Sequence, residues 1–340
     1  MNGRDAPTLE SVAVRAGVSR ATAGRVLAGS SRVSTHARDA VLRAAAELSY
    51  VTNRAARSLM TRRSDSIAFV VAEQEERFFA DPFFSLVLRG VHDAVAAHDV
   101  QVVFAVLGSE AERERFARFA RGGHVDGVVF ASLHGPDRLP DELQRAGVPV
   151  VLQGRPFGTA RADPASVGYV DADNYGGGRA AARLLADAGR TRIGTVTGPM
   201  DMAAAVDRFD GFRAELADLG LAPAGVTHAD FSVAGGRRAM RALLAACPDL
   251  DGAVVANDLM ALGALQALAE HGRRVPDDVA VVGFDDIPLA AEASPPLTTV
   301  RQPIAEMGRA MATALLETAD GPTPRAPLVL PVEVVRRASA

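Results

Sequence analysis

Three pairs of acid and amide side chains stand where short apolar runs end: Asp173-Asn174 after VGYVDA, Asn257-Asp258 after GAVVA and Asp285-Asp286 after VAVVGF. Such groups suit a ligand rich in hydroxyls. A carboxylate accepts from OH pairs, an amide accepts and donates, and Arg155 and Arg208 add donors. An aromatic face covers the C–H side of a sugar, and Phe83 and Phe231 are the candidate rings. A purine would also use an aromatic ring and an Asp, but RFFADPFFS with its surrounding Asp and Asn favours a saccharide. At Asp173, Asp258 and Asp286, capping of the following helix competes with ligand binding. Catalysis has no comparable set. His36, His92, His98, His124, His134, His228 and His271 are never at metal-ligand spacing such as HExxH, and there is no Walker motif. YGGGRAA lacks the GxGxxG spacing, and Asp285 and Asp286, adjacent at a strand end, point opposite ways. No catalytic residue, metal site or cofactor is expected.

A second group carries different chemistry. AGVSRATAGRVLAG, Ala16 to Gly29, holds Arg20 and Arg25, and no Asp or Glu occurs from Ser11 to Arg38. Residues 1–64 contain 11 Arg and 4 acids, a net +7, whereas the rest is net −11. A basic head on an acidic body points to a polyanion-binding module joined to something else. Every base is Arg, which fits genomic composition bias better than selection for bidentate contacts.

The elements that position these residues follow from caps and periodicity. Thr8 caps a helix through LESVAVRA, with Glu10 in its first turn and Leu9, Val12, Ala13 and Ala16 at helical spacing. Gly17 breaks it, Val18 points inward, and Ser19 caps a second helix to about Ala28. A third runs from Ser34 through THARDAVLRAAAELS with Val41, Leu42, Ala45 and Leu48 as its apolar stripe. Helix, Gly-containing turn and short helix form the helix-turn-helix pattern, whose second helix enters a DNA major groove. Ser19 and the N–H groups behind it can hold a phosphate. Arg20 and Arg25 can reach guanine edges, Ala21 a thymine methyl, and Thr22 phosphate or base. Gly24 lets the helix sit close to the DNA backbone, at about 1 kcal/mol of helix stability against Ala. From spacing alone, a solvated Arg face on a small helical bundle remains the alternative.

TLESVAVRAGVSRATAGRVLAG and then RVSTHARDAVLRAAAELSYVTNRAARSL resemble the N-terminus of the LacI/GalR family of bacterial transcription repressors. The likeness extends through IAFVV, DPFFSLVLRGV, VDGVVF, GVPVVL, VDADNYGGGRAA, DRFDGF, ANDLMALGAL, RVPDDVAVVGFDDIPLA and PPLTTVRQP, in the family's order. Ala23-Gly24 stand where the family usually has Val-Ser, Ala28 where it has Asn, Thr52 where it has Pro, and Gly154 where many relatives have Asp. The resemblance implies a hinge helix in NRAARSLM, capped by Asn53. Asn53, Arg54, Ala56, Arg57 and Leu59 would then join Thr8 and the second helix on DNA. Leu59 would wedge between bases in the minor groove, and Ala55 and Ala56 would let two hinge helices pack closely. Residue by residue, the resemblance puts ligand contacts at Arg208, Asn257, Asp285 and Phe231. The partners it implies are pseudo-palindromic double-stranded operator DNA, a small-molecule effector (a saccharide, with a purine or nucleoside as the alternative) and a second copy of the chain. VEVVRRASA at the C-terminus lacks a Leu heptad, so a homodimer is expected. Inducer and corepressor modes both stay open.

From Ser66 on, apolar β-rich runs alternate with helical ones. IAFVVA, VQVVFAV, DGVVFAS and VPVVLQG read as buried strands, with FSLVLRGVHDAVAAH as a helix between the first two. The alternation restarts after Pro164 with VGYVDAD, RIGTVTG, GAVVAND and VAVVGFD. Continuous Val/Ile/Ala strands between helices indicate parallel sheets covered on both faces. The expected fold is an N-terminal all-α helix-turn-helix domain plus an α/β effector domain of two doubly wound parallel-sheet subdomains, periplasmic-binding-protein-like by resemblance. The expected boundaries are 1–50 for the helix-turn-helix, 51–64 for hinge and linker, and 65–340 for ligand binding and dimerisation. Within the last, one subdomain spans about 65–165 and 298–325, the other about 166–297 and 326–340. Ligands bind beyond the carboxyl ends of such strands, in a cleft that can close.

The single Cys247 excludes a disulfide framework, and no stretch of 18 apolar residues could span a bilayer. With no signal-peptide pattern, a cytoplasmic location away from any membrane is expected. A transport binding protein would share the body and an architectural DNA-binding protein the head. Neither accounts for both.

Overall fold

A computed structural model describes residues 7–27, 30, 32–50, 63–159, 167–318 and 327–340. The expected hinge residues Asn53, Arg54, Ala55, Ala56, Arg57 and Leu59 lie outside them. The chain divides into two compact units after Asp65.

The first unit holds α1 (Leu9–Ala16), α2 (Arg20–Leu27) and α3 (Thr35–Glu47). Thr8 and Ser11 form a capping box, and Gly17 ends α1 at φ 69°, a left-handed conformation that glycine adopts without strain. Ser34 Oγ caps α3 by accepting from the Ala37 N–H. Val12, Ala13, Ala23, Val26, Val41, Ala44 and Ala45 make the core, with Val18 packed against it. Leu42, expected in the α3 stripe, is 50% exposed. Ala44 takes the inward position, because it lies one turn from Val41 on the side facing α1 and α2.

The second unit contains two six-stranded sheets. The first is built from β1 (Ser66–Val71), β2 (Gln101–Val106), β3 (Gly127–Ala131), β4 (Val150–Gln153), β5 (Gly168–Ala172) and β11 (Leu328–Leu330), in the order β11-β5-β4-β3-β1-β2. The second is built from β6 (Ile193–Thr197), β7 (Val226–His228), β8 (Gly252–Val255), β9 (Ala280–Asp285), β10 (Thr298–Arg301) and β12 (Glu333–Val335), in the order β12-β10-β9-β8-β6-β7. Among the described residues all pairings are parallel except β10 with β12. Among the described residues its α-helices are α4 (Glu75–Ala80), α5 (Pro82–Val95), α6 (Glu110–Phe119), α7 (Leu139–Arg145), α8 (Asn174–Asp187), α9 (Ala203–Asp218), α10 (Val233–Ala246), α11 (Asp258–Glu270), α12 (Pro288–Glu292) and α13 (Ile304–Thr318). Alternation along β1 shows why helices flank both faces: Ile67, Phe69 and Val71 pack toward α5 and α13, Ala68 and Val70 toward α6 and α7.

The crossings between sheets differ from those expected. VGYVDAD belongs to the first sheet, with Val151 opposite Gly168, and so does β11, with Leu328 opposite Val170. Conversely β10 belongs to the second, with Thr298 opposite Val282. The chain therefore crosses beyond Ala172, beyond Arg301 and beyond Leu330 rather than near 165, 297 and 325. A short apolar run carries no mark of which sheet it joins, and β7, β11 and β12 are too short to show alternation. β2, expected to be buried, is an edge strand with Phe104 40% exposed.

Three helix pairs approach through reciprocal glycines. A Cβ at Gly178 on α8 would strike the Arg208 carbonyl on α9, and one at Gly211 would strike the Tyr175 carbonyl in return. Gly236 and Gly263 do the same for α10 and α11, as do Gly90 and Gly308 for α5 and α13. Gly178→Ala is expected to destabilise the body by about 1–3 kcal/mol, read as a lower urea midpoint of the full chain. An unchanged midpoint would show that α8 and α9 have room to separate.

Candidate functional site

In the helix-turn-helix, Ser19 Oγ accepts from the Thr22 N–H at 3.1 Å and lies 2.8 Å from the Thr22 hydroxyl, so Ser19 does cap α2. Ser19, Arg20, Ala21 and Arg25 are exposed and Thr22 is half-buried, while Ala23 and Val26 face the core. Arg20 stands 3.8 Å from Glu10 with most of its side chain in solvent. Thr8, capping α1, is exposed as well. A Cβ on Gly24 would meet only Leu9 Cδ2, at 3.7 Å, so packing within this unit does not require the glycine.

In the body, the strand ends converge on a cleft between the two sheets. Its walls include Phe83, Phe84, Arg155, Arg208, Phe231, Asn257 and Asp285. Six of the seven ligand residues expected from sequence are thus brought together. Asp173 is not among the lining residues: it is exposed and accepts from the Gly176 N–H as the cap of α8. Its neighbour Asn174 is the one that holds Arg208. Asn174 is buried, accepts from Arg208 Nε at 2.8 Å and donates to Asp171 at 2.8 Å.

Arg208 is 8% exposed. It donates to the Ala256 carbonyl, lies 3.4 Å from Asp285 and stacks on Phe284 with its Cζ 3.8 Å from the ring centroid. Burial lowers the Arg208 pKa, although Asp285 opposes the shift. Burial lifts Asp285 to about 7 against the pull of Arg208, and Gln302 donates to its Oδ1. Near neutral pH the Asp285 carboxyl is therefore poised between donating and accepting. Asn257 caps α11 by accepting from the Met260 N–H and donates to the Phe231 carbonyl at 3.2 Å. That contact helps to hold Phe231 at φ 62°, a strained conformation for an aromatic residue. Of the Asp residues read as possible caps, Asp258 instead accepts from the Ile287 N–H and Thr299 Oγ1, and Asp286 pairs with Arg301 and Arg337.

Arg155 borders the cleft, but its guanidinium is taken up by Asp207 at 3.0–3.2 Å, where both side chains are buried. It bridges the subdomains more than it offers free donors. A second bridge lies nearby: His134, on the first subdomain, joins buried Glu73 at 2.9 Å and Asp201, on the second, at 3.0 Å. The Gly135 N–H also donates to the Asp201 carbonyl, at 2.7 Å. The hydrogen bond to Glu73 raises the His134 pKa. Burial works to raise Glu73, but His134, Arg77 and Ser132 bring it below the ordinary carboxylate range. Glu73, Arg77, Asp81, Ser132 and His134 were missed from sequence. Only Asp81, placed before Pro82 at the head of α5, carried a signal there.

Comparisons with known proteins identify the family. Residues 8–53 match the family model for bacterial regulatory proteins of the lacI family, and residues 182–340 match the periplasmic binding protein-like domain. The HTH-type transcriptional regulator CelR of Thermobifida fusca is 47% identical over 325 residues, 95% of each chain. The chain belongs to the LacI family. Among solved structures, a CelR–cellobiose complex aligns with a TM-score of 0.78 at 45% identity, covering 98% of this chain and all of that one. The lac repressor dimer bound to operator and the anti-inducer ONPF aligns at 0.84 and 26% identity, covering 98% and 99%. As a LacI-family member the chain is a DNA-binding transcriptional regulator, and its relatives are regulators rather than enzymes. No helix of the described residues is long and apolar enough to cross a membrane.

The buried acids set a pH dependence. Asp285, raised to about 7, Asp171, raised to about 6, and Asp258, also raised by burial, bind protons in the folded chain that the unfolded chain has released. Their stabilising effect is present at low pH and is lost as pH rises through those folded values. His134, also raised, acts in the same direction above about 6.5. The urea midpoint is expected to fall from about pH 5 to 8, and Asp285→Asn to flatten that fall. A midpoint rising with pH would mean that the carboxylates are held ionised.

Proposed function

We propose that the chain is a homodimeric repressor of carbohydrate-use genes, released from a pseudo-palindromic operator when a saccharide binds in the cleft. The observation that carries this reading is the convergence of Arg208, Asn257, Asp285, Phe231 and Phe83 at the strand ends of both sheets. Cellobiose, the sugar in the CelR complex, is the first candidate effector. Bases and phosphates would be met by Ser19, Arg20, Ala21, Thr22 and Arg25, with Thr8 beside them. Asn53, Arg54, Ala56 and Arg57 would follow in the hinge, with Leu59 opening the operator centre. A second copy would cover β2, the edge strand of the first sheet, where Phe79 is 77% and Phe104 40% exposed. The protein would act in the cytoplasm, where its operator lies. Sugar closing the cleft would release DNA only through its different affinity for the two states.

Fluorescence anisotropy on DNA from upstream of its own gene, at fixed salt, tests this. Cellobiose is expected to release the DNA, and Phe231→Ala to raise the sugar needed by about tenfold or more. Tightening by sugar would mark a corepressor. Binding that no saccharide alters would send the cleft to a purine or another effector.

Gly24→Ala separates folding from DNA contact. It is expected to stabilise the helix-turn-helix by about 1 kcal/mol, read by hydrogen exchange of α2 in the full chain. Operator affinity is expected to fall in the same variant. A gain in both would show that the glycine serves no close approach to DNA.

A further inference from the structure

We propose that Arg77 is a built-in occupant of the ligand cleft, covering Phe231 until a saccharide displaces it, so that it sets how tightly the effector binds. The inference rests on the reading of the cleft as a saccharide site.

Arg77 belongs to α4, the short helix between β1 and α5, and its side chain runs inward while Glu75 and Glu76 stay exposed. Its guanidinium carbon lies 4.9 Å from the centroid of Phe231, on the opposite subdomain, and 5.8 Å from that of Phe84. This is the ring whose face a sugar would need. Gly198 is pressed against the outer carbons of Phe231, and the protein's own atoms leave that residue only 6% exposed. The cavity that remains is about 70 Å³. Small-molecule sites begin at about 300 Å³, so a sugar must displace protein atoms from this cleft, and Arg77 is among the side chains that line it.

The seat of Arg77 is also an imperfect one. One terminal nitrogen pairs with Glu73, but Nε is buried and finds no hydrogen-bond partner among the described residues. A buried N–H without a partner is costly, which makes the guanidinium easier to expel than one with every donor engaged. Glu73 is not stranded by its departure, because Ser132 and His134 still donate to it. An internal competitor lowers apparent affinity by the fraction of time that the site is covered.

Calorimetric titration of the full chain with cellobiose and a panel of neutral saccharides tests this. Arg77→Ala is expected to bind the effector about tenfold more tightly than wild type. Arg77→Met, which keeps the length of the side chain but removes its charge and its hold on Glu73, is expected to tighten binding by less. Binding by Arg77→Ala to a sugar that wild type ignores would also support the inference. Equal or weaker binding in both variants would overturn it, making Arg77 a bystander or a ligand donor, while the saccharide reading stands on the wild-type titration. If neither wild type nor variants bind any saccharide, both readings fall.

Discussion

A guanidinium removed from water must be answered on each side, and in this chain the site is arranged around doing so for Arg208. Breaking a buried pair by removing one partner typically costs about 3–5 kcal/mol, so the groups around Arg208 are held together by a penalty as much as by attraction. Those groups come from separate elements: Asn174 opens α8, Ala256 follows β8, and Phe284 and Asp285 end β9. Ala256, Phe284 and Asp285 lie at the carboxyl end of the second sheet, and Asn174 opens the helix that follows β5 of the first. The glycine at 178 belongs to the same arrangement, since any side chain there would meet the Arg208 carbonyl and push α9 outward. Helix spacing, strand-end geometry and the charge in the cleft are one problem with one solution.

The same constraint joins the two subdomains. Asp207 and Arg208 are neighbours on α9, and between them runs a circuit of polar contacts. Arg208 donates to Asn174, Asn174 to Asp171, the Arg155 N–H to the other Asp171 oxygen, and the Arg155 guanidinium to Asp207. Asp171 lies in β5 and Arg155 follows β4, both strands of the first sheet, whereas the other three residues belong to helices of the second subdomain. Asp171 has its pKa raised to about 6 by burial, so its charge depends on the circuit staying closed. A cleft whose walls are joined this way opens only where this set of contacts is broken.

What was legible in the sequence follows from what leaves a local trace. Caps at Thr8, Ser19 and Ser34, the left-handed turn at Gly17 and the polar residues ending β8 and β9 all show themselves within a few positions. Choice of sheet does not. β5 and β10 were assigned to the wrong sheets because backbone pairing, which decides membership, links residues far apart in the chain. At the α8 turn, Asp173 and Asn174 are both credible ligand residues, and only the direction of α8 sends one to solvent and the other beneath Arg208. Arg155, expected to offer donors to a ligand, borders the cleft with its guanidinium on Asp207, and nothing near it in sequence announces that partner. Glu73 and Arg77 were missed for the same reason: a charged pair four apart on a polar segment normally marks a solvated surface, and here it is turned inward.

That inward turn has a physical consequence for how the cleft could respond to a ligand. One oxygen of Glu73 accepts from Arg77, from Ser132 and from His134. Its position is therefore shared between the cover on Phe231 and the His134–Asp201 bridge that spans the subdomains. With Arg77 gone, Glu73 would lose a neutralising charge, and the negative carboxylate would favour protonated His134 more strongly. Protonated His134 can donate from both ring nitrogens at once, to Glu73 and to Asp201. Vacating the aromatic face and strengthening the bridge between the subdomains are then linked through a single carboxylate. A ligand that does the first would gain affinity for the closed arrangement over the open one, which is the condition for it to shift the equilibrium between them.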